Sequence, residues 1–301
     1  MQLTPGRTAV ITGAASGFGL EFARQSAQRG LNVVMADVQA DALRSAADQI
    51  RSMGASVLEC VGNVANAADV QRLADESTAR FGVPHLVFNN AGVAHGGLIW
   101  EHSQQDWEWV LGVNLMGVAH GLRTFIPMML KAASEDAGYE GHMVNTASMA
   151  GLVCAPNMGV YNVSKHAVVA MTETLQQDLS LVTDQIRASV LCPYFVPTGI
   201  SRSHRNRPDA LRSEDKPTQS QLIAQAMSDK AVSSGKVSAA DVAQATFAAI
   251  ERSQFYIYSH PNALGPVQTR LEDVLQGRNP SDPFVSRPEV GEKLRQALRG
   301  S

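Results

Sequence analysis

Cysteine, an excess of one charge and long hydrophobic runs are scarce or missing in this 301-residue sequence. The three cysteines, Cys60, Cys154 and Cys192, are widely spaced within apolar segments. That spacing fits reduced thiols in the cytoplasm better than a disulfide framework or a metal site. The formal net charge of -3 and the pI near 6.2 give no signature of nucleic-acid binding.

The length of the apolar runs indicates whether a chain could span a membrane. No run of about 18 uncharged apolar residues occurs, so we expect no membrane span. The N-terminus passes directly into a predicted strand, without the apolar segment of a signal peptide. Hydrophobic residues make up 45% and charged residues 18%, as in an ordinary soluble globular protein. A chain of this length can form one large α/β domain or two small ones.

Strand-like and helix-like segments alternate along the chain. Predicted strands cover residues 7–12, 32–35, 56–61, 85–88, 142–146, 186–192 and 255–258. Helical patterns lie between them, including one unbroken helix over residues 107–125, which precedes a polar loop at 133–140. This alternation predicts an α/β fold with a doubly wound, Rossmann-like parallel sheet, whose ligand site lies at the carboxyl ends of the strands.

A glycine-rich turn joins the first predicted strand to a helix. Gly13, Gly17 and Gly19 fall in the sequence GAASGFG. Glycines let the backbone turn sharply and approach a pyrophosphate, and a helix N-terminus offers free N–H groups and a partial positive charge. The context therefore predicts a phosphate-binding turn, although a tight connection without a ligand remains the alternative.

Asp37 ends the second predicted strand, eighteen residues after Gly19. A carboxylate at this position accepts hydrogen bonds from an adenosine ribose in dinucleotide-binding folds, and it would repel a 2′-phosphate. Neither Val38 nor Gln39 offers a cation to bind such a phosphate. The position favours NAD(H) over NADP(H), and the alternative is that Asp37 caps the helix predicted at residues 40–53.

A tyrosine and a lysine lie four residues apart on a helix predicted to start near residue 160. Tyr161 and Lys165 share one helical face, and Ser148 precedes the tyrosine by thirteen residues. A phenol with a pKa of about 10 is a poor base at neutral pH, but a neighbouring ammonium favours the phenolate. The pair is a candidate general acid–base, or else an ordinary helical tyrosine beside a lysine that reaches water.

Asn114 falls on the apolar face of the helix predicted at residues 107–125. An amide side chain in a protein core must be hydrogen-bonded, because burying its donors and acceptors without partners is costly. Asn114 is therefore either a structural bracket or part of a polar relay.

Together these motifs resemble those of the short-chain dehydrogenase/reductase superfamily over most of the chain. The resemblance rests on TGAASGFG at residues 12–19, NNAG at 89–92, Asn114 in GVNLMG, Ser148, YNVSK at 161–165, and Pro193 with Thr198 after the sixth strand. It implies reversible hydride transfer between a nicotinamide and the carbon of a carbonyl or secondary alcohol.

The resemblance also implies a role for each matching residue. Tyr161 would be the general acid–base, with its pKa depressed by Lys165 and by the positive nicotinamide of the oxidised cofactor. Tyr161 would also contact the cofactor, and Lys165 would bind the nicotinamide ribose. Ser148 would hydrogen-bond the substrate oxygen, and Asn114 would hold a water that connects Lys165 to solvent. The remaining cofactor contacts would come from Gly13, Ser16, Gly17, Phe18, Gly19, Asp37, Asn63, Val64, Asn90, Ala91, Gly92, Pro193, Val196 and Thr198.

Two residues depart from the family pattern, since Asn63 stands where many relatives have Asp and Tyr194 stands where Gly is common. The substrate pocket would be lined, beside Ser148, by His95, Met149, Val153, Met158 and Tyr194. This mostly apolar lining favours a hydrophobic or aromatic alcohol or ketone over a charged sugar. His95 could instead be an ordinary residue of a surface loop.

Two regions of the chain need separate interpretation. Residues 199–235, within a domain spanning 1–263, are polar and resemble the mobile substrate lid of the family. The lid carries Arg202, His204, Arg205 and Arg207. These form either an incidental basic loop or a site for an anionic substrate group. Residues 264–301 form an extension with helices predicted at 268–275 and 290–298, which we expect to cover the substrate entrance or a subunit interface.

The sequence thus predicts an NAD(H)-dependent secondary-alcohol dehydrogenase or ketoreductase without a metal. The alternatives are an NADPH-dependent 3-oxoacyl or carbonyl reductase and a dinucleotide-binding regulator without turnover. The expected partners are a small alcohol or ketone and further copies of the chain, as a homodimer or homotetramer. We expect no nucleic-acid or membrane partner, and a cytoplasmic location.

Overall fold

The computed structural model describes residues 1–213 and 215–299, and within them a seven-stranded sheet forms the centre of the fold. The strands are β1 (Thr8–Thr12), β2 (Asn32–Asp37), β3 (Val57–Val61), β4 (Leu86–Asn89), β5 (Gly141–Thr146), β6 (Ile186–Cys192) and β7 (Tyr256–Tyr258). Neighbouring strands pair in parallel, in the order β3-β2-β1-β4-β5-β6-β7. The predicted doubly wound parallel sheet is confirmed.

Helices lie between and after these strands. They are α1 (Gly17–Gln28), α2 (Ala40–Ser52), α3 (Ala67–Phe81), α4 (Gln104–Leu111), α5 (Gly117–Glu135), α6 (Gly159–Val182), α7 (Gln219–Ser233), α8 (Ala239–Glu251), α9 (Gly265–Leu275) and α10 (Pro288–Arg299). One apolar layer joins the sheet to α1, α2 and α8, and the opposite layer joins it to α3, α5 and α6. No helix in the described ranges is both long and apolar enough to cross a membrane.

The alternation of side chains along the strands divides the core in two. In β1, Ala9 and Ile11 belong to the first layer while Val10 belongs to the second, and all three are fully buried. On the first side, Phe22 of α1 stacks on Phe88 of β4 with ring centroids 4.4 Å apart. Both faces of the sheet are packed at this strand, so every residue of β1 is buried.

The region predicted as one helix over residues 107–125 is divided in the structure. Helix α4 ends at Leu111, a wider π turn spans Gly112–Met116, and α5 follows. Such a turn accommodates one extra residue and is frequent at functional sites; here Asn114 lies in it. The loop predicted at 133–140 was also wrong at its start, because Ala133 is buried in the core and α5 continues to Glu135.

The predicted lid, residues 199–235, contains more regular structure than its polar sequence indicated. It includes two 3-10 segments, Ile200–Asn206 and Asp209–Leu211, and helix α7, which begins with a capping box formed by Thr218 and Gln221. Glu214 of this lid lies outside the described residues. In the extension, α9 and α10 fall close to the two predicted helices, while Gly300 and Ser301 lie outside the described residues.

Candidate active site

One continuous cleft of about 2830 Å³ runs along the carboxyl ends of the strands. Small-molecule pockets usually measure about 300–1,000 Å³, so this cleft has room for a dinucleotide and a substrate together. The predicted site residues that line it are Gly13, Ser16, Gly17, Phe18, Asp37, Asn63, Val64, Asn90, Ala91, Gly92, His95, Ser148, Met149, Val153, Met158, Tyr161, Lys165, Pro193, Tyr194, Val196 and Thr198. Gly19 and Asn114 lie behind its wall.

The glycine turn after β1 depends on the absence of side chains. Gly13 and Gly17 have φ of 67° and 55°, a left-handed conformation that side chains rarely adopt. A Cβ atom at Gly19 would overlap the carbonyl oxygen of Gly13. Ser16 precedes α1 without capping it through its side chain, so N–H groups of the first turn remain available to an anion. This geometry fits a diphosphate.

Asp37 is held at the end of β2 by two backbone contacts. Its Oδ2 accepts a hydrogen bond from the N–H of Ala15 at 3.1 Å, and its Oδ1 accepts one from Gln39 at 3.0 Å. The residue that precedes α2 as its N-cap is Gln39, so the alternative of Asp37 as the cap is wrong. Each carboxylate oxygen has a second lone pair, which leaves the group able to accept ribose hydroxyls.

The predicted central cofactor residues are fixed by contacts between neighbouring strands. The side-chain amide of Asn90 donates to the carbonyl of Thr12 at 2.9 Å, and its backbone N–H donates to the hydroxyl of Thr12 at 2.9 Å. After β3, the N–H of Asn63 donates to Asp69 of α3 at 2.9 Å. These bonds position the turns that line the cofactor half of the cleft.

Asn114 is 1% exposed and its amide is bonded to two elements. Its Nδ2 donates to the carbonyl of Val93 and to the hydroxyl of Ser164, and its Oδ1 accepts from the N–H of Val93 at 2.8 Å. A Cβ at Gly92 would lie 3.5 Å from Asn114 Oδ1 and 3.6 Å from Lys165 Nζ. Asn114 is thus a structural bracket, and it also faces the same small space as the lysine ammonium.

Tyr161 and Ser148 meet where the loop after β5 approaches the first turn of α6. The Ser148 hydroxyl donates to the carbonyl of Pro193 at 3.4 Å and accepts from the N–H of Ala150 at 3.1 Å, and it is close enough to Tyr161 to influence its pKa. Burial raises the pKa of Tyr161 above its ordinary value, and the Ser148 hydroxyl opposes this with a smaller effect. The depression of this pKa that we predicted is therefore wrong for the protein by itself.

Lys165 lies one helical turn after Tyr161 and is only 3% exposed. Its Nζ donates to the carbonyl of Thr146 at 2.9 Å and lies 5.7 Å from the centroid of the Tyr161 ring. Burial lowers the pKa of Lys165 to about 8. The side chain therefore does not reach water as an ordinary surface lysine would, and it holds an ammonium that is costly to bury.

We expect Lys165→Met to make the protein more stable at pH 7 while removing its activity. The unfolded lysine keeps its proton up to a pKa near 10.5, whereas the folded one releases it near 8. The unfolded state binds more protons in this window, so wild-type stability rises with pH there. The excess stability of the variant, measured by urea unfolding, should shrink between pH 8 and 10.5.

Lys131→Met is the matched control, because the Lys131 side chain is 76% exposed on α5. Its stability difference from the wild type should be small at every pH. An unfolding midpoint of Lys165→Met below that of the wild type at pH 7 would show that the buried ammonium does not destabilise the folded state. A stability difference between the two proteins that does not vary with pH would show the same.

The wall predicted to contact substrate is mostly apolar. Met149 is buried against the sheet, whereas Tyr194 is 47% exposed at the edge of the cleft. The Tyr194 ring packs on Phe195 with centroids 4.6 Å apart and on His260 at 5.7 Å. The side chain that replaces the usual glycine is therefore accommodated beside the segment after β7.

The polar contacts of His95 were not predicted from the sequence. His95 Nε2 lies 3.2 Å from Asp106 Oδ1, and Arg207 Nη1 of the lid donates to the same oxygen at 2.6 Å. The His102 ring is next to His95, with centroids 5.2 Å apart. His95 thus faces a buried carboxylate from the wall of the cleft and is not an ordinary residue of a surface loop.

Burial alone would raise the pKa of Asp106, but its contacts with His95, Ser103 and Arg207 outweigh this effect and hold the pKa well below its usual range. Asp106, His95 and His102 are close enough to share a metal ion. The Arg207 guanidinium already neutralises the carboxylate, which argues against a divalent cation here. The only sequence signal was the capping box at Ser103 and Asp106.

Comparison with known proteins agrees with this geometry. The short-chain dehydrogenase family model matches residues 7–209. The chain is 33% identical over 268 residues to a CLA biosynthesis dehydrogenase/reductase of Lactiplantibacillus plantarum, covering 88% of this chain and 92% of that one. It is 34% identical over 275 residues to 1-deoxy-11-beta-hydroxypentalenate dehydrogenase of Streptomyces avermitilis, covering 91% and 90%.

A solved structure is closer in sequence. The short-chain dehydrogenase/reductase of Burkholderia phymatum in complex with NAD superposes with a TM-score of 0.91 at 51% identity, covering 94% of this chain and 99% of that one. The predicted resemblance is confirmed by these matches and by the fold. With its glycine turn, its seven-stranded parallel sheet and its Ser148, Tyr161 and Lys165 side chains on one cleft, this chain belongs to the short-chain dehydrogenase family of oxidoreductases.

Proposed function

We propose that the protein is an NAD(H)-dependent dehydrogenase that interconverts a hydrophobic or aromatic secondary alcohol and its ketone. The observation that carries this proposal is the position of Ser148, Tyr161 and Lys165 on the same cleft as Asp37 and the glycine turn. The first group supplies acid–base chemistry, and the second suits an adenine dinucleotide without a 2′-phosphate.

The protein's own residues would position the alcohol and move its proton. Bound NAD would supply the hydride acceptor for alcohol oxidation. The Tyr161 and Ser148 hydroxyls face the same part of the cleft, so an alcohol oxygen bridging the two would lie where its proton can pass to the tyrosine. Ser148 would hold the substrate oxygen and stabilise charge that develops on it.

Lys165 and Asn114 would complete the proton path. Lys165, held by the Thr146 carbonyl, places a positive charge 5.7 Å from the Tyr161 ring centre and favours the phenolate. Asn114 Oδ1 and Lys165 Nζ face the same small space beside Gly92. A water between them would let the proton leave a site from which bulk solvent is largely excluded.

The choice of NAD over NADP rests on charge at the adenosine end. The Asp37 carboxylate is fixed there by two N–H groups, and residues 31–43 contain no Lys or Arg to balance a 2′-phosphate. The related Burkholderia phymatum structure contains NAD. The apolar wall formed by Met149, Val153 and Met158 supports a hydrophobic substrate. One relative is named as a dehydrogenase of a hydroxylated compound.

The test is the rate of reduced-nicotinamide formation with NAD and with NADP, across a panel of aliphatic, benzylic and steroid secondary alcohols. We expect turnover with NAD, highest for a hydrophobic or aromatic alcohol. Turnover with NADP alone would contradict the role of Asp37 and favour a carbonyl or 3-oxoacyl reductase. Nucleotide binding without turnover on any alcohol or ketone would favour a regulator that has kept the fold.

The surroundings of the site suggest an oligomer. Apolar side chains of α6 are exposed in the single chain, with Leu181 82% and Val182 66% exposed, and Met116 before α5 is 42% exposed. We propose that these helices form the contacts of a homodimer or homotetramer in the cytoplasm. The extension would cover the substrate entrance, since Gln219 of α7 donates to the carbonyl of Ala297 in α10 at 2.8 Å.

A further inference from the structure

Arg205 of the lid reaches across the cofactor half of the cleft. It lies in the 3-10 segment Ile200–Asn206, which Gly199 joins to Thr198. Its Nη1 donates to the carbonyls of Gly199 and Arg202, and its Nε donates to Gln39 Oε1 at 3.4 Å. Gln39 follows Asp37 on the opposite rim. The guanidinium therefore spans two rims that are 166 residues apart in sequence.

This guanidinium also lies next to the glycine turn. Thr198 packs against Gly17, where a Cβ atom would be 3.4 Å from the threonine side chain. A Cβ at the following residue, Gly199, would be 3.0 Å from Arg205 Nη2. Because Gly17 and Gly199 carry no side chain, the lid and the Arg205 guanidinium lie close to the N–H groups that begin α1.

Neither the glycine turn nor the segment around Asp37 supplies a basic side chain to the cofactor half of the cleft. Residues 8–23, which contain the glycine turn, and residues 31–43, which contain Asp37, include no Lys or Arg. A diphosphate carries two negative charges, and the nearby Asp37 carboxylate adds a third. Partial charges at a helix N-terminus offset only part of this. A cation supplied by the lid would complete the site.

Arg205 has donors free for this purpose. Its side chain is exposed, and within residues 1–213 and 215–299 its Nη2 donates to no acceptor. Arginine presents a planar fork that binds phosphate oxygens through two donors. We propose that Arg205 binds the diphosphate of the dinucleotide and thereby couples cofactor binding to lid closure. This assignment rests on the proposed function.

The lid offers its own matched control. Arg202 carries the same charge in the same 3-10 segment, is exposed, and is not among the residues that line the cleft. Arg205→Gln and Arg202→Gln therefore change the net charge equally, so that the difference between them isolates the local contact from the long-range field. Both positions are exposed, and neither change should affect folding.

The experiment is calorimetric titration of the wild type and both variants with NADH and with ADP, which shares the diphosphate. We expect Arg205→Gln to weaken both ligands about tenfold, the usual effect of losing a hydrogen bond to a charged group, and Arg202→Gln to change neither appreciably. Hydrogen exchange should show that NADH protects residues 200–206 in the wild type and in Arg202→Gln only.

Equal affinities for the two variants, or protection of residues 200–206 by NADH in Arg205→Gln, would overturn the assignment while leaving the proposed function intact. If Arg205 only joined the lid to Gln39, the Arg205→Gln variant would show faster hydrogen exchange of residues 200–206 without ligand and an unchanged affinity for ADP. That result would also overturn the assignment. Failure of the wild type to bind NADH would overturn the proposed function and this assignment together.

Discussion

Tyr161→Phe is expected to lower kcat for alcohol oxidation by about 10²–10⁴-fold, the usual contribution of a positioned acid–base group. The change removes one oxygen from a side chain that lines the cleft beside Ser148 and leaves the ring in place. Cofactor affinity should therefore be nearly unchanged. Initial rates of NAD reduction at saturating alcohol, together with an NADH titration, measure the two quantities separately.

Tyr194→Phe is the matched control for this experiment. Tyr194 lines the same cleft, but its ring packs on Phe195 and His260 at the exposed edge. Removing its hydroxyl should leave kcat within a few-fold of the wild type. Equal losses in the two variants, or a Tyr161→Phe enzyme with near wild-type kcat, would show that the proton does not pass through Tyr161.

Gly19→Ala is expected to weaken NADH binding by about 10- to 100-fold, in line with the usual 1–3 kcal/mol cost of overpacking. Its Cβ atom would overlap the Gly13 carbonyl and lie 2.9 Å from the Cα of Ala14. Because these are backbone atoms, the turn itself must open, and its N–H groups must leave the positions that fit a diphosphate. Fluorescence titration with NADH gives the affinity.

Gly265→Ala makes the same chemical change at a position where an added Cβ meets no atom within 4 Å. Gly265 is the first residue of α9, far in sequence from the glycine turn. NADH affinity should not change in this control. An unchanged affinity in Gly19→Ala as well would show that the turn does not hold the diphosphate.

Much of the fold could be predicted because the relevant signals are local. The strands of a doubly wound sheet are buried on both faces, so β6 is mainly apolar with only Arg187 exposed, and its bounds Ile186–Cys192 agree with the prediction. The glycine turn and the tyrosine–lysine pair could also be recognised in the sequence, since each depends on residues that are close together in the chain. Where packing decides the local structure, as at Asn114 in its π turn, periodicity alone was insufficient.

The contacts that were missed are long-range. Arg207 and Asp106 are 101 residues apart in sequence, and no local pattern indicates that they form an ion pair. The direction of the Tyr161 pKa shift was wrong for a related reason. The lysine four residues away was visible in the sequence, but the burial that raises this pKa depends on how α6 packs against the loop after β5.

The central claim is hydride transfer from a secondary alcohol at the site formed by Ser148, Tyr161 and Lys165. The most direct measurement uses the best alcohol of the panel with deuterium at its carbinol carbon, oxidised with NAD by the wild type and by Tyr161→Phe. Mass spectrometry of the reduced cofactor should find one deuterium per molecule formed by the wild type, with a product yield reduced by orders of magnitude in the variant. Reduced cofactor without deuterium, or equal yields from both proteins, would contradict the account.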